Sequence, residues 1–368
     1  MPERKGGETA EPFPGRLDAV RKNLFPWSVG GVLFFHRPGI RYLTGFTGSE
    51  GTLFIGTESA VLLVDGRYTT QAGEETAGIE VFPCRDRLEG LIRFIGERDL
   101  TEVAFEASAL TCDAYFALRD ALGERVRLKP LGKELGGLRK IKDRREIEYI
   151  RRAAGIASES FLASVQAMRA GVMEIDVARR LEREMELRGS EKPAFETIVV
   201  SGGKTALPHG RPGRVPMGPG DLVVLDFGAV VGGYASDETC TVALGKPSPE
   251  KAEIYGVVKE AHDRAVDRVR EGTACRDVDR AAREWIDKAG FGPFFSHGTG
   301  HGVGLEVHEA PRVSSRDDGV LEEGMVITVE PGVYIPGKFG VRIEDLLLVK
   351  KGGCEILSSV PKDLMILP

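Results

Sequence analysis

Leu222-Val-Val-Leu-Asp-Phe-Gly-Ala-Val-Val-Gly-Gly-Tyr-Ala-Ser-Asp-Glu-Thr-Cys-Thr-Val-Ala-Leu244 reads as two β-strands folded back on each other. Apolar runs stand at both ends, and Val-Val-Gly-Gly233 in the middle suits a tight turn. In an antiparallel pair, residues that face each other have positions adding to a constant. Asp226 and Asp237 are symmetric about Val231-Gly232, so they are expected to face each other across the ladder. Two opposed carboxylates repel unless a cation lies between them. A second hairpin follows the same plan, Met325 to Ile335 and Val341 to Val349, with Glu330 and Glu344 symmetric about Gly337.

Each hairpin is preceded by helical text. Asp143 to Gly171 and Ile175 to Arg188 come before the first, and Pro249 to Arg270 and Val278 to Ala289 before the second. Helices then hairpin, twice over, predicts two related halves about a pseudo-two-fold axis, although no residue-by-residue repeat is visible. The first third alternates short strands (Gly31 to Phe35, Ala60 to Val64, Ile79 to Phe82, Glu102 to Phe105) with helical patterns at Arg87 to Leu100 and Cys112 to Leu122. That alternation predicts an α/β domain with a mixed or parallel sheet. A glycine-rich stretch at Leu131 to Gly137 marks the boundary. The expected plan is an α/β two-domain chain: a polar tail over 1–14, an N-terminal α/β domain over 15–136 and an α+β domain over 137–368.

The 368 residues suffice for two cores, and 42% apolar with 29% charged residues is ordinary for a soluble globular protein. A formal net charge of -6 argues against a nucleic-acid partner, which would call for a basic face. Five scattered cysteines, with no Cys-x-x-Cys pair, argue against a disulfide framework or a thiolate zinc site. No apolar run has the length of a membrane span. The polar start, Met1 to Ala10, lacks a signal-peptide core, so the expected compartment is the cytoplasm.

Asp226, Asp237, Glu330 and Glu344, joined by His301, form a set too hard and too anionic for structural zinc. They suit two divalent cations sharing a water, whose charge four carboxylates and a neutral imidazole would balance. Three of the six histidines fall in Ser296-His-Gly-Thr-Gly-His-Gly-Val-Gly-Leu-Glu-Val-His-Glu309. The glycines around His301 are read as allowing close backbone approach to a metal. His297 and His308 flank it as hydrogen-bond donors to a substrate carbonyl, and His209, in Leu207-Pro-His-Gly, is a further candidate. His262, expected on an exposed charged helix, and His36, at a strand end, are expected to have no role.

These residues resemble the proline-specific metallopeptidases, the Xaa-Pro dipeptidase (prolidase) and aminopeptidase P group. The resemblance rests on His297 to Glu309, Leu225-Asp-Phe-Gly, Gly233-Tyr-Ala-Ser-Asp, Glu330-Pro-Gly and Val341-Arg-Ile-Glu-Asp, in the family's order and spacing. It extends to Leu138-Arg-Lys-Ile-Lys-Asp143 and, in the creatinase-like N-domain, to Tyr42-Leu-Thr-Gly-Phe and Asp65-Gly-Arg-Tyr68. It implies a pita-bread catalytic domain in which Asp226 chelates one metal, Asp237 and Glu344 bridge both, and His301 and Glu330 complete the site. Two divalent ions are implied, manganese foremost, with cobalt or zinc as alternatives. A homodimer and proline-containing peptide substrates are implied as well, with no nucleic-acid or membrane partner.

In that setting Glu330 is the expected proton carrier. His209 and His308 would bind the carbonyl oxygen or the proline side, and His297 would shape the proline pocket. Arg312 and Arg342 are candidate substrate contacts; Arg312 suits the free carboxylate of a dipeptide. The favoured reading is a dipeptidase, against an aminopeptidase acting on longer peptides, and more remotely a metal-free creatinase-like enzyme or a pseudo-peptidase. Where the family often has Arg, this chain has Cys240, which is read as removing a cation near the site.

Overall fold

The computed structural model describes residues 12–76, 78–132 and 135–368, so residues 1–11 of the expected tail lie outside it. The chain divides between Gly137 and Leu138 into two compact units. In the first unit α1 spans Phe13–Trp27, so Phe13 and Pro14 are helical rather than tail. Leu17, Val20 and Leu24 recur at helical spacing and are buried, and a proline is tolerated in a first helical turn.

The first unit is built on one mixed sheet. Its strands are β1 (Gly31–Phe34), β2 (Thr52–Gly56), β3 (Ala60–Val64), β4 (Glu80–Pro83), β5 (Glu102–Glu106) and β6 (Arg127–Leu131), in the order β4-β3-β2-β1-β5-β6. Helices α2 (Arg37–Thr44), α3 (Thr69–Glu75), α4 (Arg87–Glu97) and α5 (Cys112–Leu122) complete it. β2 and β6 were not anticipated. β2 is buried throughout and short, and β6 is an edge strand carrying Arg127, Lys129 and Pro130, a composition that edges tolerate.

The second unit repeats a motif. Helices α6 (Arg144–Val165) and α7 (Glu174–Leu187) lead to β7 (Ile198–Ser201), β8 (Leu222–Phe227), β9 (Val230–Val231), β10 (Tyr234–Ala235) and β11 (Glu238–Leu244). Then α8 (Pro249–Val266) and α9 (Cys275–Lys288) lead to β12 (Gly300–Gly302), β13 (Glu309–Val313), β14 (Val326–Val329), β15 (Gly332–Ile335), β16 (Phe339–Arg342) and β17 (Asp345–Lys350). β18 (Gly353–Ile356) and β19 (Met365–Leu367) finish the chain. The ladder β7-β8-β11 matches β12-β14-β17, so the predicted two-fold rhythm is present in the topology. α6 starts on a capping box: the Asp143 side chain accepts from the Glu146 amide, and the Glu146 side chain accepts from the Asp143 amide. Each half buries its own core between helix pair and sheet, around Phe161, Leu181 and Phe227 in one and Val258, Ile286 and Val329 in the other.

Both long hairpins are broken. The first is interrupted between β8 and β9 and between β10 and β11, the second between β14 and β15 and between β16 and β17. The second keeps one register about Gly337 on both sides of its break, which sets Glu330 opposite Glu344 as expected. The first has its centre between Gly232 and Gly233, one residue later than anticipated. Both glycines have positive φ, which a two-residue hairpin turn requires and a β-branched Val231 would resist. Asp226 therefore pairs with Thr239, and Asp237 lies diagonally from it on the same face.

Candidate active site

The breaks deliver the acids. Asp237 precedes β11, Glu330 follows β14 and Glu344 precedes β17, while Asp226 sits within β8. His301 enters from β12, where glycines keep two strands close. A Cβ at Gly300 would lie 2.0 Å from the Thr328 carbonyl oxygen, and one at Gly302 would lie 2.3 Å from that of Ala310. These glycines thus serve strand packing rather than approach to a metal.

The ligating atoms of Asp237, His301 and Glu344 lie within 4.8 Å of one another. His301 Nε2 stands 3.6 Å from Asp237 Oδ2 and 3.4 Å from Glu330 Oε1. Its Nδ1, 3.1 Å from the Gly302 carbonyl oxygen, takes the ring hydrogen and donates it there. Burial, helped by the neighbouring His308, lowers the His301 pKa to about 4, so the ring is neutral with its Nε2 lone pair aimed at carboxylates. An acceptor facing acceptors has no protein partner to satisfy it.

The acids show the same deficit. Asp226 Oδ1, Asp237 Oδ1 and Glu344 Oε1 are buried without a hydrogen-bond partner among the described residues. Burial, then repulsion from the other acids, raises Asp237 and Glu344 well above the ordinary carboxylate range. Burial brings Glu330 to about 7, with Arg342 opposing the rise and Asp226 adding to it. Unpartnered buried oxygens of one charge sign, with a deprotonated imidazole nitrogen among them, fit divalent cations.

A supporting layer holds these groups. Thr239 Oγ1 donates to Glu344 Oε2 at 2.6 Å, and Thr328 Oγ1 reaches Glu330 Oε1 at 3.5 Å. Arg342, buried, donates from Nη2 to Asp226 Oδ2 at 2.5 Å, from Nε to Thr239 Oγ1 at 3.1 Å, and from Nη1 to the Pro208 carbonyl and Tyr334 Oη. Its guanidinium is thus directed at protein groups, where a substrate contact was expected. His297 is committed as well. Its Nδ1 donates to the Gly298 carbonyl oxygen at 2.8 Å, and burial lowers its pKa to about 4. Its Nε2 therefore accepts from Tyr334 Oη at 3.0 Å. Thr239, Thr328 and Tyr334 escaped the sequence reading. Thr239 and Thr328 lie two residues from Asp237 and Glu330, on the same strand faces, which is a signal that could have found them. Nothing local marks Tyr334.

All ten residues singled out in the sequence line one cleft of about 1370 Å³. Of these ten, His209, His308 and Arg312 are exposed. The His308 and His301 rings lie 4.2 Å apart between centroids. Arg312 pairs with His301 across the β12–β13 ladder, and its guanidinium makes no hydrogen bond or ion pair among the described residues. Two other expectations change. His262 is buried, its Nε2 3.2 Å from Asp345 Oδ2, because it lies on the inward apolar face of α8 with Tyr255, Val258, Ala261 and Ala265. Beside Cys240 a cation is in fact present: Lys362 Nζ lies 3.7 Å from its Sγ.

The chain belongs to the metallopeptidase family M24, whose sequence model matches residues 148–351. The Creatinase/Prolidase N-terminal domain model matches residues 16–141. The family and the two-domain pita-bread architecture are therefore those that the motifs implied. The Xaa-Pro dipeptidase of Pyrococcus horikoshii is 36% identical over 343 residues, 92% of this chain and 95% of that one. Among solved structures, the Xaa-Pro dipeptidase from Bacillus anthracis is 38% identical with a TM-score of 0.93, covering 96% of this chain and 99% of the other. The X-Pro aminopeptidase from Thermotoga maritima is 36% identical with a TM-score of 0.88, covering 95% and 99%. Among the described residues, no helix is long and apolar enough to cross a membrane.

Proposed function

We propose that this metallopeptidase is an Xaa-Pro dipeptidase whose metals are held by Asp226, Asp237, His301, Glu330 and Glu344. The observation that carries the dipeptide preference is Arg312, an exposed cation with no protein partner among the described residues, facing the same cleft as His301. A planar guanidinium there suits the free carboxylate that follows proline in a dipeptide.

Two divalent cations, when bound, supply Lewis acidity that acidifies water and polarises the scissile carbonyl. The protein's own groups do the rest. Glu330 takes up the proton released in hydrolysis and delivers it to the proline nitrogen, which as a tertiary amide nitrogen carries none before the bond breaks. His209 and His308, exposed in the cleft, donate to the carbonyl oxygen or hold the proline side. His297 orients Tyr334, which accepts from Arg342, which in turn holds Asp226. Oxygen-rich donors favour manganese. The family resemblance supports a homodimer and a cytoplasmic location.

The second reading, an aminopeptidase for longer peptides, draws on the volume of the cleft: about 1370 Å³ exceeds the roughly 300–1,000 Å³ usual for small-ligand pockets. Comparing cleavage of Ala-Pro with that of Ala-Pro-Ala-Ala separates the two. Faster turnover of the dipeptide is expected, and efficient cleavage of the tetrapeptide would overturn the preference.

A further inference from the structure

Behind the metal site lies a second set of buried charges that the hydrolytic mechanism does not use. Asp237 is followed by Glu238, and Glu344 by Asp345. Successive side chains on extended backbone point to opposite faces, so each cleft acid has an acidic neighbour aimed at the far side. Lys362 meets both neighbours. Its Nζ lies 2.6 Å from Glu238 Oε1 and 3.3 Å from Asp345 Oδ1, with the three side chains only 7%, 2% and 6% exposed. Glu238 belongs to the first half of the domain and Asp345 to the second, so one ammonium joins the two halves.

The whole C-terminal segment serves this junction. Ser358 Oγ donates to Asp345 Oδ1 at 2.6 Å, and the Val360 amide donates to Glu238 Oε1 at 3.3 Å. Ser158 Oγ, from α6, donates to Glu238 Oε2 at 2.6 Å. On the other flank stand His262 and, beyond it, Asp263, whose Oδ1 is 3.1 Å from His262 Nδ1. Lys362 is also the ammonium beside Cys240. Asp237 and Glu344 themselves sit in the hairpin breaks, just before the strands that Glu238 and Asp345 begin. Their placement is inherited from residues one bond along the chain.

We propose that Lys362 is a positioning residue for the metal site: by tying Glu238 to Asp345 it fixes the strand starts that carry Asp237 and Glu344, and so sets how tightly divalent cations are held. The proposal rests on the metal-ligand reading above. Without the ammonium, two buried acids from opposite halves repel, and the halves part at the level of the ligands.

The test is Mn2+ titration calorimetry on metal-depleted full-length protein, alongside thermal melting of the same samples. Lys362→Met should weaken Mn2+ binding at least tenfold, while Lys362→Arg keeps it within about threefold of wild type. The double variant Glu238→Gln with Lys362→Met removes the repulsion as well as the tie, and should regain most of the affinity; it also remains informative if the single variant fails to fold. Val360→Ala, which trims packing in the same segment, should lower the melting temperature without changing Mn2+ affinity. Wild-type affinity in Lys362→Met, or equal weakening in Val360→Ala, would overturn the proposal. Wild-type protein that takes up no Mn2+ would overturn the ligand reading beneath it.

Discussion

His301 and Arg312 face each other across the β12–β13 ladder, a neutral imidazole in the candidate metal-ligand cluster and a guanidinium without a partner among the described residues, both in the same cleft. Immediately beyond this pair the ladder shifts register, with Gly302 meeting Glu309, so the short strand keeps the two side chains on one face while the chain between them bulges away. The spacing between His301 and Arg312 is thereby set by one strand pair.

Arg312→Ala should raise KM for Ala-Pro about tenfold to a hundredfold, the loss expected for a charged hydrogen bond worth about 1.5–3 kcal/mol. The tetrapeptide should be unaffected, and so should the melting temperature, because the guanidinium supports nothing else among the described residues. Steady-state kinetics on both substrates measure this. An unchanged KM for the dipeptide would remove the carboxylate role.

Glu330→Gln should cut turnover by about 10²–10⁴-fold, the span of general acid–base contributions. The metal-depleted variant should nevertheless melt higher than wild type, since burial drives the native carboxyl to about 7 and the amide has no charge to bury. Activity and melting must move in opposite directions. A variant that is both inactive and less stable would point to a structural role for Glu330.

The same raised acids set a pH dependence. A carboxyl whose folded pKa exceeds its unfolded value binds more protons when folded, so the stability it contributes is lost as pH rises. For Glu330 the window runs from 4.5 to about 7, and the raised Asp237 and Glu344 act in the same direction. Metal-depleted protein should therefore melt progressively lower between pH 5 and pH 8. Cation binding displaces those protons, so Mn2+ affinity should rise over that interval. Calorimetry in two buffers of different ionisation enthalpy counts the released protons, and a count of zero refutes the account.

Tyr334→Phe removes the hydroxyl that accepts from Arg342 and donates to His297. One N–H and one lone pair are then left buried and unpartnered, at about 1–3 kcal/mol each. Thermal or denaturant unfolding should register the loss, whereas an isosteric change with no effect would mean that the chain of hydrogen bonds is dispensable.

Much of this architecture is legible in the linear text because it follows period and symmetry. The hairpin about Gly337 can be read directly, since Glu330 and Glu344 are equidistant from the glycine of the β15–β16 turn. The first hairpin was misread by one residue because Val231-Gly232 and Gly232-Gly233 both look like turns, and only the demand for two positive φ angles decides between them. What stayed hidden depends on contacts between distant segments. Arg342 looks like a substrate contact until Asp226, Thr239 and Tyr334 are found around it. His262 looks exposed because its helix is charged, yet its partner Asp345 arrives from a strand more than eighty positions later. Strand β12, Gly-His-Gly, is too short and glycine-rich to announce itself, and β7 is apolar but only four residues long.

The turn at Gly232-Gly233 has a consequence for specificity of folding. Asp237-Glu238 and Glu344-Asp345 are each an acid followed by an acid, so a one-residue slip of the strand that carries either pair would still present a carboxylate to the cleft at that position. Charge at that one position is blind to such an error: a longer acid reaches in where a shorter one belongs, or the reverse, although in the second hairpin Arg342 would also turn away from Asp226. Discrimination between the native alignment and its near-degenerate neighbour therefore falls to backbone stereochemistry at the loop tip and to the apolar faces of the strands. Two adjacent glycines at the loop tip are in this sense the proofreaders of the first hairpin's candidate ligands, Asp226 and Asp237.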